Sequence, residues 1–85
     1  MNPRKILRKI LAGSGNVRFD DFVQLVVAFG FQLDRIRGSH HIFVHPDIDE
    51  LLNVQDARGE AKRYQIRQFL RLVEKYHLTI GDDLE

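Results

Sequence analysis

The sequence predicts an α+β protein in which a small antiparallel sheet carries helices on one face. Apolar residues recur with the period of a helix near both ends of the chain, whereas the middle alternates as strands do. The 85 residues suffice for one domain with one modest core. The predicted order is helix, helix, strand, strand, strand, helix, which gives a two-layer sandwich with the other sheet face open.

The first predicted helix runs from Pro3 to Ala12. Asn2 is a favourable N-cap and Pro3 suits the first helical position. Apolar residues follow at helical spacing, namely Ile6, Leu7, Ile10 and Leu11. Gly13 ends the helix and opens a flexible connector. Residues 1–15 are therefore predicted to be an amphipathic helix and linker.

The second helix is predicted from Phe19 to Phe29. Its apolar residues follow the i, i+3, i+4, i+7 rule: Phe22, Leu25, Val26 and Phe29. Asp20 and Asp21 lie in the first turn, where carboxylates favour the positive end of the helix dipole. Gly30 suits the left-handed conformation that ends helices.

The period changes from Phe31 onward, which indicates a strand. Ile36 is one step out of phase with Phe31 and Leu33, so the pattern predicts a bulge near Asp34 and Arg35.

Two further strands follow a tight Gly38-Ser39 turn. Residues His40 to His45 are rich in β-branched and aromatic side chains, and Leu51 to Gln55 forms the third strand. Such brief connections predict an antiparallel meander.

A polar loop is predicted from Asp56 to Ala61, followed by the longest helix from Lys62 to His77. Its core face comprises Ile66, Phe69, Leu70, Val73 and Tyr76. Basic residues spaced by four form a ridge beside that face: Arg63, Arg67, Arg71 and Lys75. The acidic segment 79–85 is predicted to be a flexible tail.

Composition excludes several classes of function. The chain has no cysteine, which excludes disulfides, thiolate zinc sites and cysteine nucleophiles. No apolar run approaches the ~20 residues of a membrane helix, and no secretory signal pattern is found, so a cytoplasmic location is expected. The net charge is only +1, but residues 1–18 contain five basic and no acidic residues. This segregation predicts basic surfaces, which either suit an anionic partner or are ordinary solvated helix faces.

Three of the four histidines lie in "GSHHIFVHP", residues 38–46. His40 and His41 are adjacent on a strand and therefore point to opposite faces. His41 and His45 share a face but lie about 13 Å apart, too far for one metal ion. A metal site is thus disfavoured, and the residues alone leave His41 as either an ordinary strand residue or a catalyst.

Three stretches of the sequence resemble the HicA family of bacterial and archaeal toxins. They are a helix ending in "AFGF" (residues 28–31), the turn and strand "GSHHIFVHP", and the closing helix "YQIRQFLRLVEKYHL". The resemblance covers roughly Phe19 to Leu78, and its middle stretch is the most specific. Two features differ from the family pattern: the extra basic N-terminal helix, and the loop "QDARGEAKRYQ", which lacks a histidine often seen there.

The resemblance implies a double-stranded-RNA-binding-domain-like fold, α-β-β-β-α, over residues 16–78. It implies a messenger-RNA endoribonuclease that a HicB antitoxin holds inactive. The family's catalytic histidine is the fourth residue of Gly-Ser/Thr-x-His, which is His41 here. Gly38 and Ser39 match the turn before it, and the resemblance assigns no role to His40.

Such a nuclease activates the RNA's own 2′-hydroxyl to attack the adjacent phosphorus. Histidine suits the proton transfers because its reference pKa of ~6.5 leaves both forms available near neutrality. Guanidinium and ammonium groups suit the charge on phosphate. The candidates are Arg35, Arg37, Lys62, Arg63 and Arg67. This chemistry requires neither metal nor another cofactor.

Two other functions fit the same sequence. One is an RNA-binding module that uses the basic residues without cleavage. The other is a protein-interaction domain that docks through its N-terminal amphipathic helix.

Overall fold

The structure is a computed structural model that describes residues 2–13 and 15–81, so Ser14 of the predicted connector and residues 82–85 of the predicted tail lie outside it. This part of the chain contains three helices and five strands. They are α1 (Pro3–Leu11), β1 (Val17–Arg18), α2 (Phe19–Ala28), β2 (Gln32–Arg37), β3 (His40–Val44), β4 (Leu52–Ala57), β5 (Glu60–Ala61) and α3 (Arg63–Tyr76). The predicted α+β class and the three helices are confirmed.

The strands form one antiparallel sheet in the order β1-β5-β4-β3-β2. Its longer strands, β2 to β4, are the predicted meander. Side chains from all three helices share one core with a single face of this sheet. The result is the predicted two-layer sandwich, with a double-stranded-RNA-binding-domain-like arrangement.

The prediction of a polar loop from Asp56 to Ala61 was wrong. β4 continues to Ala57, and Arg58 and Gly59 turn with φ of 57° and 86° so that β5 pairs back on it. The Asp56 carboxylate accepts a hydrogen bond of 2.7 Å from the Gly59 amide, which fixes this turn. β5 in turn pairs with β1, so the sheet has five strands rather than three.

The predicted bulge in the first long strand is confirmed. Leu33 pairs with Phe43 but Arg35 pairs with Ile42, so Asp34 is the extra residue. Because of this offset, Leu33 lies on the helix-covered face whereas Arg35 lies on the open face. β2 is an outer strand of the sheet, and Leu33 is 48% exposed there.

α1 begins as predicted, because the Asn2 side chain accepts a hydrogen bond of 2.8 Å from the Arg4 amide. Its apolar stripe packs within the molecule. Ile6 is 1% exposed and belongs to the common core, while Leu11 at the other end is 67% exposed. Docking on the core is what keeps so short a helix folded.

The core is centred on Phe69 of α3. Its ring contacts those of Phe22, Phe29 and Phe31, with centroid distances of 5.5, 5.4 and 5.9 Å. The chain remains attached to this core after α3. Ile80 is buried, and the Gly81 amide donates a hydrogen bond of 3.1 Å to the Ala28 carbonyl.

The Gln65 side chain takes the place of a strand beside β4. β5 pairs only with the last two residues of β4, which leaves the backbone of Asn53 and Gln55 without a strand on that side. The Gln65 carbonyl accepts from the Gln55 amide at 2.9 Å, and its NH₂ donates to the Asn53 carbonyl at 3.2 Å. Gln65 is 3% exposed, so all of these groups are satisfied inside the protein.

Gly30 packs directly against His45, which predicts a large cost for adding a methyl group there. Gly30 has φ of +98°, and a Cβ would lie 2.8 Å from His45 Nε2. Gly13 also has positive φ, +78°, but a Cβ there would meet nothing within 4 Å. We expect Gly30→Ala to destabilise the protein by about 3 kcal/mol and Gly13→Ala by about 1 kcal/mol. Urea unfolding of both variants tests this, and equal costs would contradict the close contact.

Candidate active site

His41 lies near the start of β3, two residues after the turn residue Ser39. Its cross-strand partners are Ile36 and Val54, so it shares the helix-covered face with the buried Val54. The ring packs against Phe19, the first residue of α2, with a centroid distance of 4.8 Å and an interplanar angle of 62°. His41 is partly buried at the edge of the core, whereas Phe43 on the same face is buried completely.

The turn before β3 fixes the tautomer of His41. Its Nδ1 lies 3.3 Å from the Ser39 carbonyl oxygen. A carbonyl only accepts hydrogen bonds, so Nδ1 carries the proton and Nε2 has the free lone pair. The same carbonyl accepts from the Asp56 amide at 2.9 Å, which ties the turn to β4. No described residue is hydrogen-bonded to Nε2, so this atom is available to take up a proton.

Gly38 makes the turn possible, because its φ of +59° is a conformation that other residues adopt at a cost. Ser39 contributes both its carbonyl to His41 and its hydroxyl, which accepts a hydrogen bond of 3.3 Å from the Gln55 side chain. The two predicted turn residues therefore lie where they orient the His41 ring.

Arg35 and Arg37 lie on the opposite face of the sheet from His41. Their cross-strand partners are Ile42 and His40, respectively. The sequence offered these arginines as candidate helpers of His41 without showing the face on which they lie, because that depends on the single bulged residue.

The other three predicted basic residues, Lys62, Arg63 and Arg67, lie on α3 or at its start. Arg63 and Arg67 are exposed and line a small cleft of about 130 Å³ beside Ile10 of α1. Lys62 is the N-cap of α3, and its ammonium lies 6.0 Å from the centre of the Tyr64 ring. The five candidate cations are thus divided between the two layers and do not form one cluster around His41.

His45 and His77 have structural roles. His45 is buried, its Nε2 donates to the Phe29 carbonyl at 3.1 Å, and its Nδ1 accepts from the Asp47 amide at 3.1 Å. Both ring nitrogens are therefore engaged, and the ring joins the end of β3 to the end of α2. His77 is the exposed C-cap of α3, with φ of 54°.

Three ionisable groups meet beyond the other end of β3, where Glu50 in the following loop is hydrogen-bonded to Lys75 and Tyr76 of α3. The hydrogen bond from Lys75 is the main cause of a lowered pKa of Glu50, and the Tyr76 hydroxyl adds to the effect. The same carboxylate raises the pKa values of Lys75 and Tyr76. These groups attach the loop to α3, and no local pattern in the sequence predicted their pairing. They lie away from His41.

Neither a metal-binding cluster nor a membrane-spanning helix is found among the described residues. Residues 2–13 and 15–81 contain no group of three or more histidine, aspartate or glutamate side chains placed to hold a metal ion. Over the same residues, no helix has the length and apolar character needed to cross a membrane.

Comparison with known proteins identifies the family. The family model described as the HicA toxin of bacterial toxin–antitoxin systems matches residues 19–74, well over half of the chain. The match includes α2, all of the sheet except β1, and most of α3, and therefore the whole turn that carries His41. No curated protein and no solved structure matched. The chain belongs to the HicA toxin family.

Proposed function

We propose that the protein is the toxin of a type II toxin–antitoxin module and cleaves messenger RNA with His41 as general acid and base. The observation that carries this proposal is the His41 ring, whose Nδ1 is held by the Ser39 carbonyl while Nε2 has no partner among the described residues. Family membership supports a toxin role. With the proton on Nδ1, Nε2 is the nitrogen of His41 that would act as the general base.

The proposed reaction begins with proton transfer from an RNA 2′-hydroxyl to His41 Nε2. The 2′-oxygen then bonds to the adjacent phosphorus, and the bond from phosphorus to the 5′-oxygen breaks. The departing 5′-oxygen receives a proton from the imidazolium or from solvent. The products are a 2′,3′-cyclic phosphate and a 5′-hydroxyl, and no step requires a metal or another cofactor.

Basic residues are proposed to hold the RNA during this reaction. Arg63 and Arg67 are exposed on the helical layer, and Lys62 precedes them at the start of α3. Arg35 and Arg37 are exposed on the open face and would contact other parts of the same RNA. Charge–phosphate contacts at several positions along a strand favour binding without sequence preference.

The family also implies a toxin–antitoxin partner. We propose a HicB-like protein that inhibits by covering His41 or the exposed basic residues. A location in the cytoplasm, where messenger RNA and such a partner are found, is part of the same proposal.

Incubation with RNA in the presence of EDTA tests the proposal. The substrates are a single-stranded RNA and the same sequence with 2′-O-methyl groups at every nucleotide. We expect cleavage of the first into fragments with 2′,3′-cyclic phosphate ends and no cleavage of the second, because methylation removes the attacking hydroxyl. Intact RNA, or equal cleavage of both substrates, would contradict the proposed nuclease activity.

The same assay separates this proposal from the two alternative functions. A binding module would bind the RNA without cleaving it, and its affinity would fall as the salt concentration rises. A protein that acts only through α1 would neither bind nor cleave RNA, although Ile6 on that helix is already buried within the molecule.

A further inference from the structure

We propose that the open face of the sheet around His40 is a second RNA-binding site, which holds the ribose and phosphate of a nucleotide other than the one cleaved at His41. This inference takes its ligand from the proposed function. The resemblance gives His40 no role, and the site lies on the face that the helices leave uncovered. Its geometry follows from the strand register.

The register places polar side chains from three strands beside one another on this face. Arg37, His40 and Gln55 form one cross-strand row, and Arg35, Ile42 and Asn53 form the next. Directly paired residues on neighbouring strands lie about 5 Å apart at Cβ, so the side chains of Arg37 and His40 leave the sheet side by side. Ile42 is only 7% exposed although no helix covers it, so the longer polar side chains around it form the surface.

The His40 ring is oriented by Asn53. Its Nδ1 lies 3.0 Å from the Asn53 side-chain oxygen, which accepts a hydrogen bond and so places the proton on Nδ1. Nε2 has no hydrogen-bond partner in residues 2–13 and 15–81. His40 is exposed, and in this tautomer Nε2 accepts a hydrogen bond from a donor such as a ribose 2′-hydroxyl.

Arg37 supplies the positive charge beside this acceptor. It is exposed, and within the described part of the chain it forms no ion pair or hydrogen bond through its side chain. Arg35 differs, because its guanidinium is paired with Asp34. A free guanidinium next to a hydroxyl acceptor fits the two groups that adjoin in a ribonucleotide, namely the phosphate and the 2′-hydroxyl.

RNA fits this face better than a protein partner does. Protein interfaces have an apolar, densely packed centre, whereas nucleic-acid interfaces are polar and positively charged. Here the central apolar residue, Ile42, is hidden beneath its neighbours. An RNA strand that rounds the Gly38-Ser39 turn passes from the His41 face to the His40 face, so one chain occupies both sites.

Binding to a chain with His41→Ala tests this site separately from cleavage. Fluorescence anisotropy with a labelled single-stranded RNA, and with DNA of the same sequence, compares this chain with versions that add His40→Ala or Arg37→Ala. We expect Arg37→Ala to weaken binding to both nucleic acids by about fivefold or more and to reduce the salt slope by about one. His40→Ala should weaken RNA binding by several-fold and DNA binding by less than twofold, since DNA lacks the 2′-hydroxyl.

Lys5→Ala is the matched control, because Lys5 is an exposed cation on α1 in the helical layer. We expect it to change RNA affinity by less than twofold. RNA affinities unaffected by the His40 and Arg37 changes would overturn the proposal, and so would an equal loss with Lys5→Ala. Loss of antitoxin binding with RNA binding intact would assign the face to a protein and also overturn it. None of these binding measurements depends on whether the wild-type chain cleaves RNA.

Discussion

Replacing His41 with alanine is expected to lower the rate of RNA cleavage by about 10²- to 10⁴-fold, the usual contribution of a general acid–base group. Nε2 of the His41 ring has no hydrogen-bond partner among the described residues. The Ser39 carbonyl orients the ring through its other nitrogen, Nδ1. Alanine removes that proton acceptor and leaves the Gly38-Ser39 turn in place. The measurement is the single-turnover cleavage rate of a labelled RNA with EDTA present.

His77→Asn provides the matched control. His77 is an exposed histidine at the end of α3, and asparagine tolerates its left-handed backbone conformation. Its cleavage rate should remain within about twofold of wild type. Circular dichroism spectra should be the same for all three proteins, because His41 is only partly buried and its ring lies at the edge of the core. A folded His41→Ala protein that cleaves at the wild-type rate would remove His41 from the mechanism.

Phe69→Ala should cause the largest loss of stability, about 3–5 kcal/mol. The Phe69 side chain is fully buried and contacts the rings of Phe22, Phe29 and Phe31. Removing it leaves a cavity between α2, α3 and the start of β2, where three aromatic rings lose their common neighbour. For a domain of this size, a loss of that order is a large share of the total stability.

Urea unfolding followed by circular dichroism measures this loss. Tyr64→Ala is the control, since Tyr64 lies on the same helix and is 53% exposed. We expect it to cost less than about 1 kcal/mol. Similar midpoints for both variants would show that the aromatic cluster does not form the centre of the core.

Local signals in the sequence predicted most of the fold. The Asn2 cap, the helix-ending Gly30 and the phase shift at Ile36 each depend on a few neighbouring residues. In the structure Asn2 caps α1, Gly30 follows the end of α2 with positive φ, and β2 has its bulge before Ile36. β1 and β5 were missed because each has two residues, too few for a periodic pattern. Their pairing depends on the Asp56 turn and on contact between distant segments.

The candidate site could be predicted only in part. The turn and the alternation showed that His40 and His41 point to opposite faces, but not which face the helices cover. Asn53 and Phe19, which contact these two rings, carried no signal in the sequence because their contacts cross between strands or between layers. The position of Arg37 beside His40 likewise follows only from the register of β2 and β3.

The amide of Gln65 has a consequence for how the protein avoids self-association. Unpaired strand backbone recruits strands from other molecules and leads to aggregates. Beside Asn53 and Gln55 the Gln65 side chain removes this hazard, because it forms the backbone hydrogen bonds that a strand from another molecule would otherwise form. β2 forms one outer edge of the sheet, and there the bulge at Asp34 and the charges of Arg35 and Arg37 give the protection instead.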